Sequence, residues 1–216
     1  NTVSLTGDIT TTGTYGYAIS LDQGSDSNTI NMTGNISVGN SHGLVLDRNE
    51  FNTTNLTGNI STTGPSGVGS HSYGLGIFRK TGISTGGGNN TTNIIGNIST
   101  DINWQGWGIA VHTDYNTTNL TGNISTTNGH GLYNYGNHNQ TNITGDISTT
   151  TGGYGVWTAD GSNNNTNITG NISTTGVGGY GVYTTGGGSN TINVTGDIST
   201  TALGGYLIYF QNSDSN

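Results

Sequence analysis

Side chains that could carry catalysis are few in this sequence and lie scattered along it. The 216 residues include 11 acidic, three basic and five His residues. General acid–base chemistry on a polysaccharide needs two such groups within reach of the same bond. No cluster of this kind can be recognised in the spacing of the acidic residues. The sequence therefore predicts a protein that is not an enzyme, with no catalytic residue.

Metal-binding patterns are equally hard to find. The stretch 160–164 resembles a Ca²⁺ loop but lacks its spacing and its closing Glu. Asp47 and Arg48 are adjacent and oppositely charged, yet successive strand side chains face opposite ways, so we do not expect them to form a site. The histidines show no HExxH-type spacing: they are His42, His71, His112, His130 and His138. No cofactor is expected.

Composition removes further classes of function. Three basic residues cannot neutralise a track of phosphates, so no nucleic-acid partner is expected. No apolar run reaches the ~20 residues that span a bilayer, so no membrane insertion is expected in this segment. Gly, Thr and Asn number 40, 40 and 31, about half of the chain. Such a composition fits either a flexible tract or a repetitive fold, and periodicity decides between them.

A six-residue motif recurs eight times: aliphatic, any residue, Gly, Asn or Asp, Ile, Ser or Thr. Successive motif glycines are 23 to 27 residues apart, except for one interval of 38. The motif Ile forms an unbroken column: Ile9, Ile36, Ile60, Ile98, Ile124, Ile147, Ile172 and Ile198. Two further aliphatic columns accompany it, one ending at Val194 and one at Ile208. A disordered tract has no reason to concentrate its apolar residues in this way.

Within each copy the spacing of apolar residues is two, which predicts short β-strands. The Gly before Asn or Asp allows a corner between two strands. We therefore predict one domain over 1–216, all-β, folded as a right-handed parallel β-solenoid of about eight coils of ~25 residues, with three apolar columns in its core. The long interval predicts a loop insertion within 64–88, which contains Pro65, Arg79 and Lys80.

The residue after the motif Gly should stack at the corner of every coil as an amide ladder, the arrangement that satisfies polar groups in cross-β stacks. This column contains Asp8, Asn35, Asn59, Asn97, Asn123, Asp146, Asn171 and Asp197. Its carboxylates leave open a weak affinity for a cation.

Outward-facing Ser and Thr form a second regular set. If Ile60 and Thr62 point inward, Ser61 and Thr63 point outward, and this pair recurs in six coils but is interrupted at Gly39 and Asp101. A flat array of hydroxyl and methyl groups is the device of ice-binding solenoids, which makes ice binding the main alternative function. The residues are Thr10, Thr12, Ser61, Thr63, Ser125, Thr127, Ser148, Thr150, Ser173, Thr175, Ser199 and Thr201.

The strings TGNISTTG, GGYGVYTTGGGSNT and NTINVTGDIST resemble the repetitive passenger and stalk regions of bacterial autotransporters and giant surface adhesins. The resemblance covers essentially the whole chain. It implies export, an extracellular or cell-surface location, and a rod that acts as a stalk or an adhesive surface. Glycans or other surfaces would then be contacted, and a polysaccharide-active β-helix is a third hypothesis.

Neither end of the sequence offers a recognisable cap, so the coils are expected to continue head to tail. Ile198 would stack on Ile9, Val194 on Leu5 and Ile208 on Ile19, in a second copy or a tandem unit. The function predicted from the sequence is therefore an extracellular structural fibre or adhesin stalk whose principal partner is itself.

Overall fold

The computed structural model describes residues 1–13, 16–22, 24–39, 41–64, 71–78, 88–102 and 106–211. These residues form 24 strands and no helix. The strands lie in three parallel sheets of eight, and each coil contributes one strand to each sheet. The predicted parallel β-solenoid is thus confirmed, and the hand of its coil stays a prediction.

Every sheet joins strands that are three apart in chain order. The first sheet contains β1 (Thr2–Thr6), β4 (Thr29–Thr33), β7 (Thr53–Thr57), β10 (Thr91–Ile95), β13 (Thr117–Thr121), β16 (Gln140–Thr144), β19 (Asn165–Thr169) and β22 (Thr191–Thr195). The second contains β2 (Ile9–Thr11), β5 (Ile36–Gly39), β8 (Ile60–Gly64), β11 (Ile98–Ile102), β14 (Ile124–Thr126), β17 (Ile147–Thr149), β20 (Ile172–Thr174) and β23 (Ile198–Thr200). The third contains β3 (Tyr17–Leu21), β6 (His42–Asp47), β9 (Ser72–Phe78), β12 (Gly106–Val111), β15 (Leu132–Asn134), β18 (Val156–Ala159), β21 (Val182–Thr185) and β24 (Ile208–Gln211).

The core runs along the axis of the solenoid between the three sheets. In the middle coils the motif Ile is fully buried, as at Ile60 and Ile124, where none of the side chain is exposed. In the first and last coils the equivalent Ile9 and Ile198 are only partly buried. The register pairs identical positions of successive coils, for example Ile98 with Ile124, so each apolar column is continuous.

Threonine lines the core beside the aliphatic columns. In the second sheet, the alternation predicted for Ile60 to Thr63 is observed, with Thr62 buried and Thr63 exposed. In the first sheet Thr is buried as well in the third to seventh coils, at Thr54, Thr92, Thr118, Thr141 and Thr166. Thr has the shape of Val and the stiff side chain that strands favour. Some hydroxyls donate to loop carbonyls, such as Thr126 Oγ1 to Gly129 O at 3.1 Å.

Most of the predicted insertion within 64–88, including Pro65, Arg79 and Lys80, lies outside the described residues. Its described middle part is regular: Ser72–Phe78 is a strand that pairs with its neighbours on both sides. Gly88 forms single parallel bridges with Glu50 and with Asp114. The chain therefore rejoins the coil stack directly after the insertion.

Strand alternation does not hold at Asp47 and Arg48, and the expectation that the pair forms no site stays a prediction. Their side chains form an ion pair, with Arg48 Nη2 2.8 Å from Asp47 Oδ2. The strand ends at Asp47, and Arg48 has a φ of 56°. That left-handed backbone breaks the alternation of a strand and turns the guanidinium back toward the carboxylate. The pair is partly exposed.

Candidate functional site: side-chain ladders and end coils

The predicted Asn ladder is confirmed at the corner between the first and second sheets. In each coil after the first, the backbone N–H of the corner residue donates to the side-chain Oδ1 of the corner residue one coil earlier. All seven distances lie between 2.7 and 3.0 Å. The ladder runs from Asp8 to Asp197 and links every coil to the next.

The geometry of this ladder explains why Asp can replace Asn. Its recurring donor is a backbone N–H, so the side chain has only to present an acceptor oxygen, which a carboxylate does as well as an amide. Asn171 N donates to Asp146 Oδ1 at 2.7 Å, as Asn123 N donates to Asn97 Oδ1 at 2.8 Å. Within the described residues no three His, Asp or Glu side chains are placed to hold a metal ion.

A second, buried Asn ladder lies where each coil enters the first sheet, and the sequence reasoning missed it. Here the backbone N–H donates in the opposite direction, to the Oδ1 of the following coil, at 2.8 to 3.1 Å. Its members share the position just before the strand: Asn28, Asn52, Asn90, Asn116, Asn139, Asn164 and Asn190. The sequence did contain a signal for this ladder: in each of these coils two Asn residues are spaced three apart, as Asn116 and Asn119 are.

The outer face of the first sheet carries a third ladder. The Nδ2 of each Asn donates to the Oδ1 of the Asn one coil earlier, at 2.8 to 3.0 Å. The first of these bonds runs from Asn55 to Asn31 and the last from Asn193 to Asn167. A row of exposed residues flanks it, made of Thr6, Thr33, Thr57, Ile95, Thr121, Thr144, Thr169 and Thr195. This uncharged face is more regular than the Ser and Thr array recognised in the sequence.

That array lies on the outer face of the second sheet. Its Ser row is in register from coil to coil, with Thr10 pairing with Ser37, and Ser125 with Ser99 and Ser148. Thr63 and Thr150 are exposed. At the interruption, Thr127 Oγ1 donates to Asp101 Oδ1 at 2.9 Å, so the Asp is tied into the array.

The outer face of the third sheet carries two columns of aromatic rings. The first has one ring in every coil, with successive centroids 4.6 to 5.5 Å apart: Tyr17, His42, Tyr73, Trp107, His130, Tyr154, Tyr180 and Tyr206. The second column occupies the later coils, with successive centroids 4.6 to 5.9 Å apart: Tyr133, Trp157, Tyr183 and Tyr209. Rings of the two columns meet edge to face, as Tyr154 and Trp157 do at 83°.

Two histidines are held neutral inside this stack. Burial, and then the charge of His71, lowers the pKa of His42 from 6.5 to about 4. The same causes lower the pKa of His130 to about 3. Tyr154 N–H donates to His130 Nδ1 at 3.1 Å, so protonation there would remove a hydrogen-bond acceptor. The folded state therefore binds these protons more weakly than the unfolded chain does.

This difference predicts that the solenoid loses stability in mild acid. Well above pH 6.5, His42 and His130 are neutral in both the folded and the unfolded state, so their protonation does not lower the free energy of unfolding. As the pH falls from 6.5 toward 4, the unfolded chain takes up protons that the fold resists, so the free energy of unfolding falls. Replacing both histidines by Tyr, the residue common in this column, should flatten that part of the curve. Urea unfolding followed by circular dichroism at several pH values measures it, and parallel curves for the two proteins would contradict the assignment.

The end coils expose the apolar columns that the middle coils bury. In the first coil Val3 is 46% and Leu5 39% exposed, whereas Leu120 in the fifth coil is 2% exposed. In the last coil Ile208 and Phe210 are 51% and 56% exposed. These two side chains, with Val194 and Ile198, line a cavity of about 390 Å³ at the end of the coil stack. Both end coils thus present core surface and unpaired strand edges.

None of the described residues belongs to a helix long and apolar enough to cross a lipid bilayer. Comparison with known protein families, with curated proteins and with solved structures finds no match to this chain.

Proposed function

We propose that this chain is a structural segment of an extracellular fibre or adhesin stalk, in which solenoids join coil on coil. One observation carries the proposal: in the end coils the core columns are left partly uncovered, with Leu5 and Ile208 exposed and Ile9 and Ile198 only partly buried, whereas the internal coils bury them. In a repeat protein the stability is approximately the sum of the intrinsic stabilities of the units and of the interfaces between neighbouring units, so each added interface stabilises the stack. A second copy of the chain is the partner whose shape repeats that interface.

The joint would repeat the internal register residue for residue. Strands β22 and β1 both span five residues, and β23 and β2 both span three. Val194 would lie over Leu5, Ile198 over Ile9 and Ile208 over Ile19, which buries the side chains now exposed at both ends. At the corner, Asp8 N–H of one copy would donate to Asp197 Oδ1 of the other, as Asn35 N–H donates to Asp8 Oδ1 within the chain.

One contact opposes the joint. The carboxylates of Asp197 and Asp8 would lie one coil apart, and two unit charges ~5 Å apart in water repel by about 1 kcal/mol. Internal carboxylates of the column avoid this because Asn separates them, as Asn123 and Asn171 flank Asp146. Asp197→Asn keeps the acceptor oxygen and removes the repulsion, so this variant should assemble at lower concentration than the natural chain.

Electron microscopy of the purified chain tests the proposal. We expect filaments with an axial repeat of ~38 Å, eight coils at the ~4.8 Å spacing of strands. Gly7→Ala should block them: a Cβ at Gly7 meets nothing within 4 Å in the single chain. At the joint it would overlap the Gly196 carbonyl of the neighbour, as a Cβ at Gly34 would overlap the carbonyl of Gly7.

Gly178→Ala is the matched control. Gly178 also has a positive φ, 73°, and open space around its Cβ position, but it lies in a turn of the seventh coil. This variant should form filaments like the natural chain. Isolated short rods from the natural chain at high concentration, or unimpaired assembly of Gly7→Ala, would refute coil-on-coil joining.

A further inference from the structure

Five tyrosines come together on the outer face of the third sheet over the last three coils. Tyr154, Tyr180 and Tyr206 belong to the first aromatic column, and Tyr183 and Tyr209 to the second. Seven pairs of these rings have centroids 4.9 to 5.5 Å apart. Nearly half of the 11 tyrosines of the chain therefore lie in one patch, which we call the tyrosine cluster.

The rings of the cluster are held in place and reachable from solvent. Tyr206 is 53% exposed, while Tyr180, Tyr183 and Tyr209 are half-buried. Tyr206 and Tyr209 are stacked at 16°, and Tyr154 and Tyr180 at 4°. Tyr183 Oη donates to Gln211 Oε1 at 2.6 Å, which fixes that phenol at the edge of the cluster. An oxidant in the solvent can thus reach rings that already lie against one another.

Packing alone does not require phenols at these positions. In earlier coils the first column is filled by His and Trp as well as Tyr, and the second column begins with Ser20, Val45, Gly76 and Ala110. Over the last three coils five of the six positions in the two columns are Tyr, and the sixth is Trp157. Burial and the neighbouring phenols raise the pKa of Tyr154 and of Tyr183, so these phenols keep their protons at neutral pH.

We infer that the tyrosine cluster is a site of oxidative coupling, in which a one-electron oxidant of the haem peroxidase type, working with hydrogen peroxide, joins tyrosines of neighbouring coils. Each of two phenols loses one electron and one proton and becomes a phenoxyl radical. The radicals form a bond between ortho carbons, and a hydrogen shift from carbon to oxygen restores both aromatic rings. The two electrons and two protons reduce one hydrogen peroxide to two waters, and the protein loses two hydrogens for each bond.

The experiment treats the dilute, monomeric 216-residue chain with a haem peroxidase and hydrogen peroxide. We expect dityrosine fluorescence, a loss of two hydrogens in the mass of the intact monomer, and chymotryptic peptides that link residues of the cluster. Because the bond forms within one chain, this outcome does not depend on filament formation.

Variants separate the cluster from general reactivity of exposed tyrosines. Tyr180→Phe, Tyr183→Phe and Tyr206→Phe combined leave the rings stacked but remove a phenol from every one of the seven contacting pairs, and intrachain coupling should be lost. The matched control combines Tyr17→Phe and Tyr115→Phe: these residues are 51% and 56% exposed, as exposed as Tyr206, and each contacts a His ring. Coupling should survive in the control. Bonds formed mainly between chains, or coupling unchanged in the triple variant, would overturn the assignment.

Discussion

Ile124→Asp should unfold the solenoid or fray it from the fifth coil outward. Ile124 is fully buried in the motif column, between Ile98 and Ile147 of the adjacent coils. Removing the side chain alone costs about 2–5 kcal/mol. The carboxylate that replaces it is either buried without a partner or held protonated, at a further cost of several kcal/mol. The total is comparable with the whole stability of an ordinary domain, about 5–15 kcal/mol.

Ser125→Asp is the control for this prediction. Ser125 follows Ile124 in the same strand, but its side chain points outward and is exposed. A carboxylate there should change the free energy of unfolding by about 0.5 kcal/mol or less. Urea unfolding monitored by circular dichroism compares the two variants, and equal stabilities would mean that the Ile column does not line the core.

Gly122→Ala should be the second most damaging single change, although it adds only one methyl group. Gly122 has a φ of 148°, where a side chain is strained, and its Cβ would overlap the carbonyl oxygen of Gly96 in the preceding coil. The corner ladder ties the two coils together at this point, since Asn123 N–H donates to Asn97 Oδ1. The coils cannot separate without losing that bond. We expect a loss of about 3 kcal/mol or more from strain and overlap together.

Gly7→Ala measures the strain without the overlap. Gly7 occupies the same corner of the first coil with a φ of 125°, and a Cβ there meets nothing within 4 Å. Gly7→Ala should lower the free energy of unfolding by about 1 kcal/mol, the lower end of the range for a strained residue. The difference in melting temperature or urea midpoint between the two variants isolates the contact between coils. If both variants lose the same stability, the coils are not packed as closely at the corner as the structure has them.

The repeated motif predicted the fold because its apolar residues are rare enough to mark positions. Ile occupies one column without exception, so stacking the copies identified both the core and the corner Asn that follows Gly. Aligning the copies does not identify the positions of Asn and Thr in the same way, because these residues are abundant throughout the chain. Nothing in composition distinguishes buried Asn116 from Asn119 on the outer face, three residues later. Their burial depends on where the backbone turns into the first sheet.

Surfaces were predicted less completely than the core for a related reason. The Ser and Thr array was derived from strand alternation, which residues 60–63 follow. Ice binding by that array stays a hypothesis, and the uncharged face of the first sheet is a second surface to which it applies. The tyrosine cluster was missed because its members belong to two columns. Only the third sheet brings Tyr206 against Tyr209 and both against Tyr180.

The opposite senses of the two backbone ladders give the rod a direction. The corner ladder passes hydrogen bonds from each coil to the one before it, and the buried Asn ladder passes them to the one after. The two tips are therefore chemically different: the last coil presents the Asp197 carboxylate and the first coil the N–H of Asp8. Two last coils facing each other would set carboxylate against carboxylate. Filaments built from this chain should consequently be polar, with tips that grow at unequal rates.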